Sequence, residues 1–173
     1  MKDDTYINNL LGAFATTVTA TIDEHVNTVG CRSANAATAL VTIYNHPDDS
    51  IDVLRKILNL THSGAVRLIN GLESEALIER RRSEMDGRSV VIRLTDEGVQ
   101  RAKQILTARA NATQSIMQSI TVEQQQLLLP ILEQALRTVT HDVSDARKIC
   151  RLCNEGVCRV QGCPVEQSAV SHT

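Results

Sequence analysis

The sequence predicts a mainly α-helical protein with one small β element. Across most of its 173 residues, apolar side chains recur at spacings of three and four, which is the pattern of amphipathic helices. Only 2% of the residues are aromatic, so the core has to be built from Leu, Ile, Val and Ala. Between residues 77 and 94 the spacing changes to alternation, which indicates strands. The length suits one globular domain with a small appendage.

Four helices are predicted in the N-terminal half, over residues 8–28, 34–45, 51–57 and 62–76. The second ends before Pro47, because the residue that precedes a proline resists helical angles. Ser50 is the predicted N-cap of the short third helix, and a turn at residues 58–61 leads into the fourth. The apolar stripe of the first helix consists of Leu11, Phe14, Val18, Ile22 and Val26. The inward-facing residues of the fourth are Ala65, Leu68, Ile69, Leu72 and Ala76.

A β-hairpin follows these helices. Its predicted strands cover residues 77–83 and 89–94, and residues 84–88 form the turn. Gly87 in that turn suits the unusual backbone angles of a tight connection. A helix, a turn, a helix and a hairpin in succession are the outline of a winged helix-turn-helix.

Two further helices are predicted after the hairpin. Thr95 is the predicted N-cap of a long helix over residues 95–118. Asp96 and Glu97 lie in its first turn, where the helix dipole favours negative charge. Thr121 and Gln124 have the spacing of a capping box for the next helix, in which Pro130 predicts a kink or a delayed start. Its apolar positions are Leu128, Ile131, Leu132, Leu136 and Val139. We expect residues 165–173 to be a loose tail.

Composition excludes several classes of function. No segment is apolar enough to span a membrane or to serve as a signal peptide, so we expect a cytoplasmic protein. The low aromatic content argues against a protein that binds single-stranded nucleic acid by base stacking. We find no phosphate loop, no paired carboxylates and no Ser-His-Asp arrangement, so we do not expect an enzyme. A protein-interaction module that has lost DNA binding is the remaining alternative.

The charge pattern points instead to duplex DNA. The formal net charge is -2, so any DNA-binding patch must be local. From residue 80 to 93 there are five arginines and two acids. In a winged helix-turn-helix the second helix contacts base edges in the major groove. Arg67 is the best candidate for hydrogen bonding to the edge of a guanine. The candidate DNA-binding residues outside the wing tip are Thr61, His62, Ser63, Arg67, Arg80 and Arg82.

Residues 34–106 resemble the MarR family, named for the multiple antibiotic resistance regulator. The resemblance rests on three runs of sequence: residues 58–72 (LNLTHSGAVRLINGL), residues 77–80 (LIER) and residues 86–98 (DGRSVVIRLTDEG). The family pattern places an Asp-x-Arg pair at the wing tip, and Asp86 with Arg88 matches it.

This resemblance implies a homodimer that binds a pseudo-palindromic operator, usually as a repressor. It implies that residues 1–33 and 99–149 dimerise and that residues 34–98 bind DNA. In this reading Asp86 orients Arg88, which enters the minor groove. The family also has a pocket for a small-molecule effector, although this chain has too few aromatic residues to line one with rings.

A cysteine cluster extends beyond the part of the chain that resembles the family. Cys150, Cys153, Cys158 and Cys163 have the spacing C-x2-C-x4-C-x4-C within a module over residues 150–164. The spacing resembles a zinc knuckle with Cys158 in place of its histidine, and four thiolates can hold zinc tetrahedrally. A 4Fe-4S cluster is the rival, but the ferredoxin motif is more tightly spaced, so we favour zinc. A thiol-based redox sensor is the third alternative.

Cys31 stands apart from this cluster. A lone cysteine is usually a small buried hydrophobe. Some regulators of the MarR family sense oxidants through a cysteine in the N-terminal half, so Cys31 is retained as a candidate redox residue.

Overall fold

Helices account for most of the chain because apolar residues recur along it at helical spacing. The structure, a computed structural model, describes residues 4–83 and 90–171. Its elements in chain order are α1 (Asp4–Asn27), α2 (Ala34–Asn45), α3 (Ile51–Ile57), α4 (His62–Ser74), β1 (Ile78–Arg82), β2 (Val90–Leu94), α5 (Asp96–Met117), α6 (Val122–Thr138), α7 (Val143–Ile149), α8 (Glu155–Val160) and α9 (Pro164–Ser171). The predicted fold class, mainly α with a small β-wing, is confirmed.

Side-chain caps fix where the helices begin. The predicted caps at Ser50, Thr95 and Thr121 are all present, each accepting a hydrogen bond from the backbone N–H three residues on. The capping box of α6 is complete, because the Gln124 side chain also accepts from the backbone N–H of Thr121 at 2.8 Å. Asp142 caps α7, a helix that the sequence analysis did not predict.

The core is built around α2. Every residue from Ala36 to Ile43 is buried, because α1, α4, α5 and β2 surround this helix. A helix enclosed in this way needs apolar or small residues on all sides, as the Ala-rich sequence supplies. The central helix of the core, α2, therefore lies against α4, the second helix of the helix-turn-helix.

The wing is a two-stranded antiparallel sheet. Ile78 pairs with Leu94 at its base and Arg82 with Val90 at its outer end. The base is closed against α5, where the Thr95 N–H donates to the Leu77 carbonyl at 3.1 Å. A Cβ atom at Gly98 would lie 1.9 Å from that carbonyl oxygen, so α5 can begin at this place only with glycine there.

Two predictions about helix ends are corrected. The fourth helix ends at Ser74, and Ala76 is exposed rather than part of the core, because it adopts a left-handed φ of 57° that ends the helix. The start of α6 is not delayed by Pro130. The helix begins at Val122 and stays helical through the proline to Thr138.

The predicted loose tail at residues 165–173 is also wrong over the part that the structure describes. Residues 164–171 form α9, which packs against α6 and α7. Val165 and Ala169, four residues apart, are buried on its inner face. Pro164 suits the first helical position, where no N–H is needed.

Candidate DNA-binding surface and cysteine cluster

The fourth helix presents a polar face to solvent. Thr61 caps it, with its hydroxyl accepting from the Gly64 N–H at 3.1 Å. Ala65, Ile69 and Leu72 are buried on the inner face. The exposed polar residues on the outer face are His62, Ser63, Arg67 and Asn70. The cap and the apolar spacing therefore place the residues predicted to contact DNA together on the solvent-facing side of α4.

Arg67 is available to an external partner. It is exposed and lies at a cleft whose walls include Ser33, Gly64 and Gly71. No residue in the two described segments forms an ion pair or hydrogen bond with its guanidinium. Thr61, by contrast, is already engaged, because its hydroxyl caps α4 and lies 3.3 Å from that of Ser63.

The arginines of the wing divide into two kinds. Arg80 is held by α4, where it pairs with Glu73 and donates to the Asn70 side-chain oxygen at 2.6 Å. This contact fixes β1 against α4. Arg82 is exposed, and no described residue forms an ion pair or a hydrogen bond with its guanidinium. The predicted wing-tip residues Asp86 and Arg88 lie outside the described residues.

Sequence reasoning missed Asn70. It lies three positions after Arg67 and seven after Ser63, so helical spacing alone places all three on one face. Its side-chain oxygen accepts from Arg80. The Asn70 side chain is itself exposed.

The four clustered cysteines lie on short segments at the C-terminal end. Cys150 ends α7, and the Cys153 N–H donates to its carbonyl at 2.8 Å. Cys158 lies in α8, and Cys163 directly precedes α9. Cys150, Cys158 and Cys163 line one cavity of about 210 Å³, together with apolar side chains of α7 and α9. All four thiols are partly buried.

Neighbouring thiols perturb one another. A hydrogen bond from Cys150 and the charge of Arg109 lower the pKa of Cys153 to about 6, while the same hydrogen bond and burial raise the pKa of Cys150. Burial raises the pKa of Cys158. Within residues 4–83 and 90–171, no group of three or more His, Cys, Asp or Glu side chains has an arrangement that could hold a metal ion. The cysteines are therefore near one another without forming a finished coordination shell.

The cysteine segment docks onto the winged domain. The Asn45 side chain donates to the Cys153 carbonyl at 2.9 Å, and His46 pairs with Glu155 at 2.9 Å. Arg147 of α7 pairs with Asp49. These contacts place the cysteines against the end of α2 and the loop that follows it. Local sequence patterns could not predict these contacts, since the partners are about 100 residues apart.

Cys31 has the environment of a structural residue. It is partly buried and packs against the core. Burial raises the pKa of its thiol, an effect that the neighbouring Arg101 only partly offsets. A raised pKa leaves less thiolate at neutral pH, so Cys31 is a weaker redox candidate than Cys153.

Comparison with known proteins identifies the family. Residues 33–89 match the model of the MarR family. YwhA, an uncharacterized HTH-type transcriptional regulator of Bacillus subtilis (strain 168), is 31% identical over 113 residues, which cover 65% of this chain and 77% of that protein. This chain belongs to the MarR family. Like its relatives, it is a transcriptional regulator and not an enzyme.

Solved structures share the MarR-type winged-helix fold. RV1404 from Mycobacterium tuberculosis superposes with a TM-score of 0.67 and 19% identity, covering 76% of this chain and 91% of that one. A MepR mutant from S. aureus, bound to an oligodeoxyribonucleotide, superposes with a TM-score of 0.58 and 18% identity, covering 78% of this chain and 98% of that one. In the described part of this MarR-family chain, no helix is long and apolar enough to cross a membrane.

Proposed function

We propose that this MarR-family protein is a homodimeric repressor that binds a pseudo-palindromic DNA operator through α4 and the wing. The observation that carries this proposal is the exposed polar face of α4, on which the Arg67 guanidinium has no partner among the described residues. The structure of a MepR mutant bound to an oligodeoxyribonucleotide supports the use of this fold for DNA binding.

In this proposal α4 enters the major groove. Arg67 donates two hydrogen bonds to the edge of a guanine, the commonest specific contact of an arginine. Ser63 and His62, one turn earlier, lie near the helix N-terminus, where a DNA phosphate is favoured. Arg82 contacts phosphates from the wing, and the family pattern adds Arg88, oriented by Asp86, in the minor groove.

Exposed apolar side chains support a homodimer. Ile7, Leu11 and Phe14 of α1 are 64%, 65% and 49% exposed. On α6, Leu127 and Ile131 are 70% and 63% exposed, and none of the helix's residues is buried. Apolar surface of this extent usually marks an interface. A second copy of the chain, related by two-fold symmetry, would cover both helices and match a palindromic operator.

Repression would follow from occupation of the operator by this dimer. Its release by a small-molecule or redox effector remains a prediction from the family resemblance. One groove that a small molecule could enter has a volume of about 550 Å³. It is lined by Tyr44 of α2, Lys103 and Arg109 of α5, and Cys158.

We further propose that Cys150, Cys153, Cys158 and Cys163 bind one zinc ion. Their spacing and their shared partial burial support this assignment. Arg147, Arg151 and Arg159 would offset the negative charge of a four-thiolate site. A 4Fe-4S cluster is the alternative. It would colour the purified protein brown and add iron and sulfide, whereas zinc leaves it colourless.

DNA reading by Arg67 can be tested with the duplex that the protein selects from a random-sequence pool. We expect Arg67→Ala to weaken binding to this duplex by about ten- to a hundredfold, the loss of one bidentate contact to a base, with little change on unrelated duplex. Arg82→Ala should weaken binding to both duplexes and reduce the salt dependence.

Lys148→Ala on α7 is the control for a lost positive charge, because this lysine pairs with Asp145 and lies outside both the winged domain and the proposed dimer interface. We expect it to leave DNA affinity unchanged. If the protein enriches no duplex from the random-sequence pool, sequence-specific DNA binding is contradicted. An Arg67→Ala variant that keeps its full preference for the selected duplex would contradict the role of that arginine.

A further inference from the structure

We propose that Arg147 of α7 is a positioning residue for DNA binding, which holds strand β2 through Asp49 and so sets where the wing meets the DNA. This inference rests on the proposed function, because it concerns how the DNA-binding surface is held in place. Arg147 lies in the C-terminal part of the chain, beyond the residues that match the family model.

Arg147 and Asp49 form a sheltered ion pair between α7 and the loop that joins α2 to α3, residues 46–50. Their side chains are only 21% and 18% exposed, so solvent screens this pair less than it would a surface pair. The C-terminal part is also attached to the loop by His46, whose Nε2 lies 2.9 Å from Glu155 Oε1 at the start of α8. Two contacts therefore join α7 and α8 to one short loop.

The other side of the same loop holds β2. The Asp49 carbonyl accepts a hydrogen bond from the Ile92 N–H at 3.3 Å. Asp48, the residue before it, accepts two hydrogen bonds from Arg93, at 2.5 and 2.9 Å. Asp49 therefore contacts α7 through its side chain and β2 through its backbone, which makes it the direct link between Arg147 and the wing.

The conformation of the loop depends on the contacts around it. Asp48 has a φ of 73°, in the left-handed region that is unfavourable for a residue with a Cβ. Such a conformation persists only where surrounding contacts hold it. Loss of the Arg147 pair would release the loop on the side of α7. We expect the loop then to shift and to move β2 with it.

A shift of β2 would reach a residue that is proposed to contact DNA. On β1, Arg80 is tied to α4 by Glu73 and Asn70. Arg82 lies at the outer end of this strand, opposite Val90 of β2. One strand of the wing is thus held by α4 and the other by the loop. Without the second attachment, the outer end of the wing would no longer place Arg82 at its phosphate.

The test measures the affinity of the full chain carrying Arg147→Gln for the duplex that the wild type selects, over a series of salt concentrations. We expect this variant to bind about tenfold more weakly, a typical coupling between distant sites. The slope of log affinity against log salt concentration should fall in magnitude by about one, because a phosphate contact of the wing is lost.

Lys148→Gln is the matched control, since it removes the next positive charge of α7. Lys148 pairs with Asp145 at 3.9 Å, within the same helix. This variant should keep the affinity and the salt dependence of the wild type.

A double-mutant cycle separates positioning from a general loss of stability or charge. In the Arg82→Ala background, Arg147→Gln should weaken binding less than it does in the wild type, because the contact that it positions is already absent. In the Arg67→Ala background its effect should be undiminished, because Arg67 contacts DNA from α4 rather than from the wing. A general defect would instead weaken binding by the same factor in both backgrounds.

Asp49→Asn tests the same link from the side of the loop. It removes the carboxylate that pairs with Arg147 but keeps the backbone carbonyl that accepts from Ile92. This variant should match Arg147→Gln in affinity and in salt dependence, and circular dichroism should show the helix content of the wild type for both. Should Arg147→Gln lose helix content, Asp49→Asn takes its place in the cycle.

The outcomes distinguish this inference from the proposed function. If the wild type selects a duplex that Arg147→Gln and Asp49→Asn bind equally well, the positioning role is refuted while the proposed function stands. An equal loss in the Arg82→Ala and Arg67→Ala backgrounds would also refute the positioning role. If the wild type selects no duplex, the proposed function fails, and the positioning role fails with it.

Discussion

Two residues with left-handed backbone angles end the helices of the DNA-binding module. Asn59 follows α3 with a φ of 51°, and Ala76 follows α4 with a φ of 57°. At each place two backbone N–H groups, that of the left-handed residue and that of the next residue, donate to carbonyl groups of the last helical turn. After α3, the Asn59 N–H donates to the Lys56 carbonyl and the Leu60 N–H donates to the Arg55 carbonyl. This is the Schellman arrangement, which usually has glycine or asparagine at its left-handed position. Asn59 fits that preference and Ala76 does not.

Replacement of Ala76 by glycine should therefore stabilise the protein. The left-handed conformation costs a residue with a Cβ roughly 1 kcal/mol or more, and glycine avoids that cost. Part of the gain is lost to the greater freedom of glycine in the unfolded chain. We expect Ala76→Gly to raise the midpoint of urea unfolding and Asn59→Gly to change it less. Equal or lower stability of Ala76→Gly would contradict this account.

Neighbouring arginines on one strand have different roles because their surroundings differ. Arg80 and Arg82 have the same side chain and lie two residues apart on β1. Arg80 meets Glu73 and Asn70 on α4, whereas Arg82 lies at the outer end of the strand, where it pairs with Val90 of β2. The first arginine positions the wing, and only the second is available to DNA.

At the scale of elements, α1 shows one apolar stripe in two environments. Val26 is buried and Ile22 packs against the core, where α1 meets α5 and α2. Leu11 and Phe14, earlier on the same predicted stripe, are 65% and 49% exposed. The regular spacing therefore serves the core at one end and an external surface at the other.

The last helix, α9, offers a test of how the C-terminal elements are held. Val165 is 2% exposed, and Val170 on the same helix is 69% exposed. We expect Val165→Ala to cost about 1 to 2 kcal/mol of local stability, through lost burial and the space left behind. Limited proteolysis should then cut the C-terminal segment faster.

Val170→Ala is the matched control for this helix. It removes the same atoms from an exposed position, so it should leave the cleavage rate near that of the wild type. Similar rates for the two variants would show that the burial of α9 does not secure the C-terminal end.

At the scale of the whole molecule, the exposed apolar faces of α1 and α6 are the main feature that a single chain leaves unexplained. We expect Ile131→Asp on α6 to weaken self-association, because a carboxylate placed in an apolar interface loses its hydration without gaining a partner. Sedimentation velocity should show the wild type as a dimer and this variant shifted towards the monomer.

Val160→Asp provides the control for that substitution. Val160 is 82% exposed and lies on α8 rather than on the proposed interface. This variant should sediment as the wild type does. If Ile131→Asp also remains a dimer, the α6 face is not part of the interface.

Local sequence patterns predict the features that depend on neighbouring residues. The caps at Ser50, Thr95 and Thr121, most of the helices, the wing and the family motif are all visible in local patterns. Each rests on contacts between residues three or four positions apart or on strand pairing across a short turn. The exposed polar face of α4 could be predicted for the same reason.

Contacts between residues distant in the chain depend instead on how the elements pack. The pairing of Arg80 with α4, the burial of α9 and the docking of the cysteine segment on the loop after α2 have no local signature. Asp49 and Arg147 are 98 residues apart in the chain. Their contact depends on how every element between them packs, and short-range spacing carries no information about that.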